Sequence, residues 1–114
     1  MKRYILALDL KNDAPSIEAY ESWHRNVWPD IKQSIIDSGI QHMAIYRFGN
    51  RLCMLMETTD SFSFEKKAAA DAENMLVQEW ETLMGQYQQI IPGSPPGEKW
   101  VLMDKIFELS TDTQ

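Results

Sequence analysis

Ile40-Gln41-His42-Met43-Ala44-Ile45-Tyr46-Arg47-Phe48-Gly49-Asn50-Arg51-Leu52-Cys53-Met54-Leu55-Met56-Glu57-Thr58-Thr59 decides the fold class. Gly49-Asn50 is a two-residue hairpin signal between apolar, strand-forming runs. It predicts paired strands over Ile40–Phe48 and Leu52–Thr59. Upstream, Arg3–Leu10 alternates, with Tyr4, Leu6, Leu8 and Leu10 on one side and Arg3, Ile5, Ala7 and Asp9 on the other, which predicts a first strand. Asn12-Asp13-Ala14-Pro15 follows as a turn that offers a helix cap and a proline suited to a first helical turn. A helix is predicted over Ser16–His24, a break at Asn26–Trp28 because Pro29 cannot continue it, and a second helix from Pro29 to Asp37 ended by Gly39.

Downstream of the hairpin, Ser61 is the candidate cap of a helix running through Ala68–Ala70. A further helix over about Ala72–Gln86 sets Leu76, Trp80, Leu83 and Met84 on one face. Ile91–Gly97 holds three prolines and two glycines and reads as a loop. Trp100–Leu109 is predicted as the last strand, and Ser110–Gln114 as a frayed polar tail. The order strand, helix, strand, strand, helix, strand predicts an α+β fold of the split βαβ, ferredoxin-like kind, an antiparallel sheet with helices on one face. Arg3, Ile5, Met43, Ile45, Cys53 and Leu55 are expected on one face of the sheet, and Ala44, Tyr46, Met54 and Met56 on the other. Both faces then read as apolar, and helices cover only one, so a homodimer joined through the sheet is expected.

Composition narrows the function. A chain of 114 residues fits a single domain over residues 1–114. The net charge of -6 argues against nucleic-acid and anionic-membrane partners. The one cysteine, Cys53, forms no internal disulfide and fits a reducing compartment. No apolar run has the length of a membrane span, and the start of the chain does not read as a secretion signal, so a cytoplasmic location is expected. Two histidines, His24 and His42, without a metal-ligand spacing speak against a metal site, and there is no glycine-rich phosphate loop. Nothing near Cys53 in sequence would lower its pKa, so it is not expected to act as a nucleophile.

What remains is acid–base chemistry. In Tyr20-Glu21-Ser22-Trp23-His24-Arg25-Asn26-Val27-Trp28-Pro29-Asp30, a helix brings Tyr20 and His24 to one face. An imidazole beside a phenol and indoles suits a small polyhydroxylated ligand, since aromatic faces cover C–H groups and polar tips hold hydroxyls. By spacing alone the plainer reading leads: the aromatics fill the core, with His24 hydrogen-bonded at the helix end. Tyr46 and Trp80 are likewise core residues by that reading, and Glu79 a solvated one.

These residues carry a resemblance to the L-rhamnose mutarotase family of small sugar anomerases. It rests on Tyr20-x3-His24-x3-Trp28-Pro29-Asp30, Ala44-Ile45-Tyr46 before the hairpin, Met56-Glu57, Trp80, and the proline-rich loop before Ile106-Phe107-Glu108-Leu109. The resemblance implies an isomerase of the dimeric α+β barrel type without a cofactor. It implies His24 as the proton-transferring residue and Tyr20, Tyr46, Trp28 and Trp80 as sugar contacts. Rhamnose enzymes of this family tend to carry two adjacent tryptophans in the late helix, where this chain has Glu79-Trp80. A carboxylate there accepts hydrogen bonds from hydroxyls, so Glu79 joins the expected sugar contacts and L-fucose joins L-rhamnose as a candidate substrate. Two other readings stand beside this one: a cofactor-free monooxygenase of the same architecture, and a sugar-binding sensor without catalysis.

Overall fold

The computed structural model describes residues 1–111. Strand β1 covers Lys2–Leu10, and its alternation buries Leu6, Leu8 and Leu10 on one side. Asp13 caps helix α1, Ala14–Arg25, by accepting the Ser16 N–H at 2.8 Å. That hydrogen bond holds the Asp13 carboxyl below its usual range. Helix α1 ends at Asn26, and α2 restarts at Pro29 and runs to Asp37. Gly39 then turns the chain with φ +99, where a Cβ would stand 2.9 Å from Thr59 Oγ1.

Strands β2, Ile40–Phe48, and β3, Arg51–Thr58, form the expected hairpin. Helix α3 covers Phe64–Ala72 and α4 Met75–Gly85. The expected cap at Ser61 is displaced to Ser63, whose hydroxyl accepts the Lys66 N–H. Buried Phe62 anchors the chain just before it, so the helix begins two residues later. Asn74 caps α4 through the N–H groups of Leu76 and Val77. The buried face of α4 is Val77, Trp80 and Met84, with Leu76 turned outward.

The sheet runs β2-β3-β1-β4 with antiparallel neighbours, where β4 is the two-residue strand Gln88–Gln89. This is the order of the split βαβ fold, with all four helices on one side. Strand β5, Val101–Leu102, pairs with the same edge of β1 further along. Two expectations are corrected here. The final strand does not extend to Leu109: after Met103 N–H donates to Ile5 O, the chain leaves the sheet, and Ile106 and Phe107 are 95% and 77% exposed. Exposed Asp104 and Lys105 carry the chain off the edge of β1, although β1 itself continues to Lys2. The frayed tail expected over Ser110–Gln114 falls in part on residues 112–114, outside the described residues.

The second correction concerns the faces. Across the two-residue turn Phe48 pairs with Arg51, so an odd-numbered residue opposite the turn meets an even-numbered one. Paired residues point the same way. Met43 and Ile45 therefore share the helix-covered face with Met56 and Met54, while Ala44 and Tyr46 share the open face with Leu55 and Cys53. The open face also carries the ion pairs Arg3–Glu57 and Arg51–Asp9.

Candidate active site

A cavity of about 520 Å³ opens between the helix-covered face of the sheet and helices α1, α2 and α4. Its floor is made by Leu6, Ile45, Met54 and Met56. The proline-rich loop brings Gly97, Lys99 and Trp100 to its mouth. The polar groups that reach it come from the four helices and β4: Tyr20 and His24, Ser34, Lys67, Glu81 and Gln88.

His24 lies in the last turn of α1, where the missing next turn leaves its ring room to fold back. His24 Nδ1 is 2.8 Å from the carbonyl oxygen of Tyr20. A carbonyl only accepts, so Nδ1 carries a hydrogen and Nε2 is the nitrogen left for a ligand. The ring stacks on Tyr20 with centroids 4.3 Å apart and meets the edge of Trp80 at 5.7 Å. Two aromatic walls thus hold the imidazole in one orientation. Tyr20 is buried, and loss of solvent pushes its pKa up, with a hydrogen bond from Gln88 opposing. Its hydroxyl stays protonated at neutral pH, which makes it a donor and unsuited to be a base.

The expected site residues divide into three groups. Tyr20, His24 and Trp80 come together and line the cavity. Trp28 stands behind them: its ring lies 5.1 Å from Trp80 and 6.5 Å from Trp23, so it braces the wall without lining it. Tyr46 and Glu79 are not brought there. Tyr46 is 62% exposed on the open face, because the hairpin parity turns it away from the helices. Glu79 is exposed on the outer flank of α4, beside Gln78 and Thr82, since consecutive helical residues are turned about 100° apart and Trp80 faces inward. The next residue, Glu81, supplies a carboxylate at the cavity instead.

Residues missed by the sequence reading include Met43, Lys67, Glu81, Gln88 and Trp100. Met43 was legible, since the turn length sets its face. Lys67 sits 2.5 Å from Asp71, a helical i,i+4 pair that reads from sequence as a solvated face. Gln88 gave no signal, because a two-residue strand has no periodicity to detect. Among the described residues no three His, Cys, Asp or Glu side chains gather as a metal-binding group.

The chain is 45% identical over 112 residues to an L-fucose mutarotase of Xanthomonas campestris pv. campestris, covering 96% of this chain and 90% of that protein. Among solved structures, an L-rhamnose mutarotase from Formosa agariphila superposes with a TM-score of 0.70 at 21% identity, over 96% of this chain and all of that one. The tetracenomycin F2 cyclase of Streptomyces glaucescens superposes with a TM-score of 0.64 at 18% identity, over 99% of this chain and 100% of that one. At such identities the likeness speaks for the fold alone, and the fold hosts more than one chemistry. The sequence profile of the L-rhamnose mutarotase family matches residues 3–109, and the chain belongs to that family.

Proposed function

We propose that this protein is a mutarotase that interconverts the α and β anomers of a 6-deoxyhexose, with L-fucose the preferred sugar and L-rhamnose the second candidate. The observation that carries the proposal is the fixed imidazole: Nδ1 held by a backbone carbonyl, Nε2 free, in a cavity with aromatic walls and an apolar floor. The 45% identity to an L-fucose mutarotase favours L-fucose over L-rhamnose.

Anomer exchange opens the pyranose ring to the aldehyde and closes it on the other face of the carbonyl. Protonated His24 donates its Nε2 proton to the ring oxygen as the C1–O5 bond breaks. The proton of the anomeric hydroxyl leaves to a base, for which the Glu81 carboxylate has the acceptor chemistry among the lining groups. Rotation about C1–C2 and the reverse proton transfers close the ring. The Tyr20 hydroxyl donates a hydrogen bond to the sugar, and Trp80 covers a C–H face. The C6 methyl rests against the methionine and isoleucine floor. Acid–base help of this kind is typically worth roughly 10²–10⁴-fold.

Exchange NMR of the anomeric protons of L-fucose and L-rhamnose, with and without protein, tests the reading. Catalysed exchange is expected, fastest on L-fucose, and unchanged rates on both sugars would sink it. Oxygen uptake with reduced quinols serves the monooxygenase alternative, and none is expected.

The active form is a homodimer in this proposal. The open sheet face carries Ile5, Ala44, Tyr46, Cys53 and Leu55, and the departing segment exposes Ile106, Phe107 and Leu109. Exposed apolar surface of this extent is rare on a stable monomer. Sedimentation at micromolar concentration is expected to give twice the chain mass. No helix among the described residues is long and apolar enough to cross a membrane, and the lone thiol of Cys53 fits the reducing cytoplasm, where we place the enzyme.

A further inference from the structure

Gln88 is a polar lining side chain that the mechanism leaves unused. Its backbone pairs with Leu10 in the ladder between β4 and β1. Residues paired in a ladder point to the same side, so Gln88 follows Leu10 toward the helices and Gln89 follows Asp9 away from them. The Gln88 side chain therefore enters the cavity beside Tyr20. Its Nε2 donates to the Tyr20 hydroxyl at 3.5 Å. Its Oε1 is buried and has no hydrogen-bond partner.

A buried amide oxygen without a partner is uncommon, because it has given up water and received nothing in return. Here the vacant acceptor lies next to a hydroxyl whose oxygen already accepts from the same amide. The Tyr20 proton is thereby left to be donated elsewhere. One free acceptor and one free donor stand side by side. That pair matches a single alcohol, which donates through its hydrogen and accepts through its oxygen.

We propose that Gln88 and Tyr20 form a clamp that reads one secondary ring hydroxyl of the sugar, with Gln88 Oε1 accepting its proton and the Tyr20 hydroxyl donating to its oxygen. This inference rests on the mutarotase reading above and deepens it: Gln88 is a specificity-determining residue. L-fucose and L-rhamnose differ in configuration at C2 and C4, so a clamp on either position separates them. A sugar that lacks the hydroxyl, or carries it on the other face, leaves Oε1 unpaired again, and sites built this way discriminate strongly.

The test is a panel of the preferred sugar and its 2-, 3- and 4-deoxy analogues, followed by exchange NMR with the wild type and Gln88→Leu. Leucine has a similar shape without polar atoms, so the variant is expected to fold with stability near or above wild type. Wild type should process one analogue about tenfold or more below the parent sugar. Gln88→Leu should lose about that factor on the parent and nothing further on that analogue. A common loss on every sugar would overturn the clamp, since it would mark Gln88 as a packing residue. If Gln88→Leu does not fold, the wild-type panel decides alone: one deficient analogue supports the clamp, and a flat panel overturns it. Wild type without activity on any sugar would instead overturn the mutarotase reading, and the clamp with it.

Discussion

The two faces of one sheet, built from alternate residues of the same strands, have opposite fates. On the helix-covered face Leu8 and Leu10 are fully buried and Leu52 is 2% exposed. On the open face the same strands carry Ile5, Ala44, Tyr46, Cys53 and Leu55, edged by the Arg3–Glu57 and Arg51–Asp9 ion pairs. The covered face carries the candidate site because the helices over it deliver polar tips into an apolar space. The open face has no such delivery, and within one chain its tyrosine is left uncovered. The proposed sugar contact needs a hydroxyl whose surroundings exclude water, a condition that Tyr20 meets within one chain and Tyr46 does not.

Substitutions that set one face against the other test this contrast. The largest effect is expected at His24. His24→Ala should remove roughly 10²–10⁴-fold of the catalysed anomer exchange, while circular dichroism and thermal melting show an intact fold. A folded variant with wild-type exchange would take the chemistry away from the covered face.

Core packing comes next. Leu8→Ala on the covered face should cost about 2–5 kcal/mol in urea unfolding. Leu55→Ala on the open face should cost clearly less in dilute solution, where the proposed dimer would dissociate. Equal losses at low concentration would show that the open face is packed within one chain, as the covered face is.

The tyrosines sharpen the comparison. Tyr20→Phe should lower kcat/KM about tenfold through the lost hydrogen bond to the sugar. Tyr46→Phe and Glu79→Ala should leave kcat/KM and the preference between L-fucose and L-rhamnose unchanged, and a shift in that preference from either would return them to the site.

The smallest effect expected is a pH dependence of stability. The folded pKa of Tyr20 is raised above its ordinary 10.0 because burial disfavours the phenolate. Its contribution is thus intact below pH 10.0 and is lost as pH rises above that value toward the folded pKa, since the unfolded chain ionises first. Tyr20→Phe should flatten the alkaline fall in melting temperature, and an unchanged fall would show that the phenol is not held back by burial.

Most of the fold was legible. The Gly49-Asn50 turn, the Pro29 restart and the Gly39 stop are local devices, each set by what one or two residues permit in their own backbone. The face of Met43 was legible as well, because a two-residue turn determines which residues pair across it. The final strand was not, since Ile106 and Phe107 have strand-forming side chains but the ladder with β1 stops at Ile5, which no local pattern signals.

The site followed the same division. Local sequence determined that Tyr20 and His24 share a helix face and that the helix ends just beyond them, because a helical period and a proline act within a few residues. Only the tertiary structure decided that Trp80 closes on His24 while Glu79 looks away, and that Gln88 brings an unpaired oxygen beside Tyr20. Those outcomes depend on which face of α4 meets the sheet and where the edge of β1 captures a two-residue strand. Both are choices among long-range contacts, and no local pattern of residues encodes them.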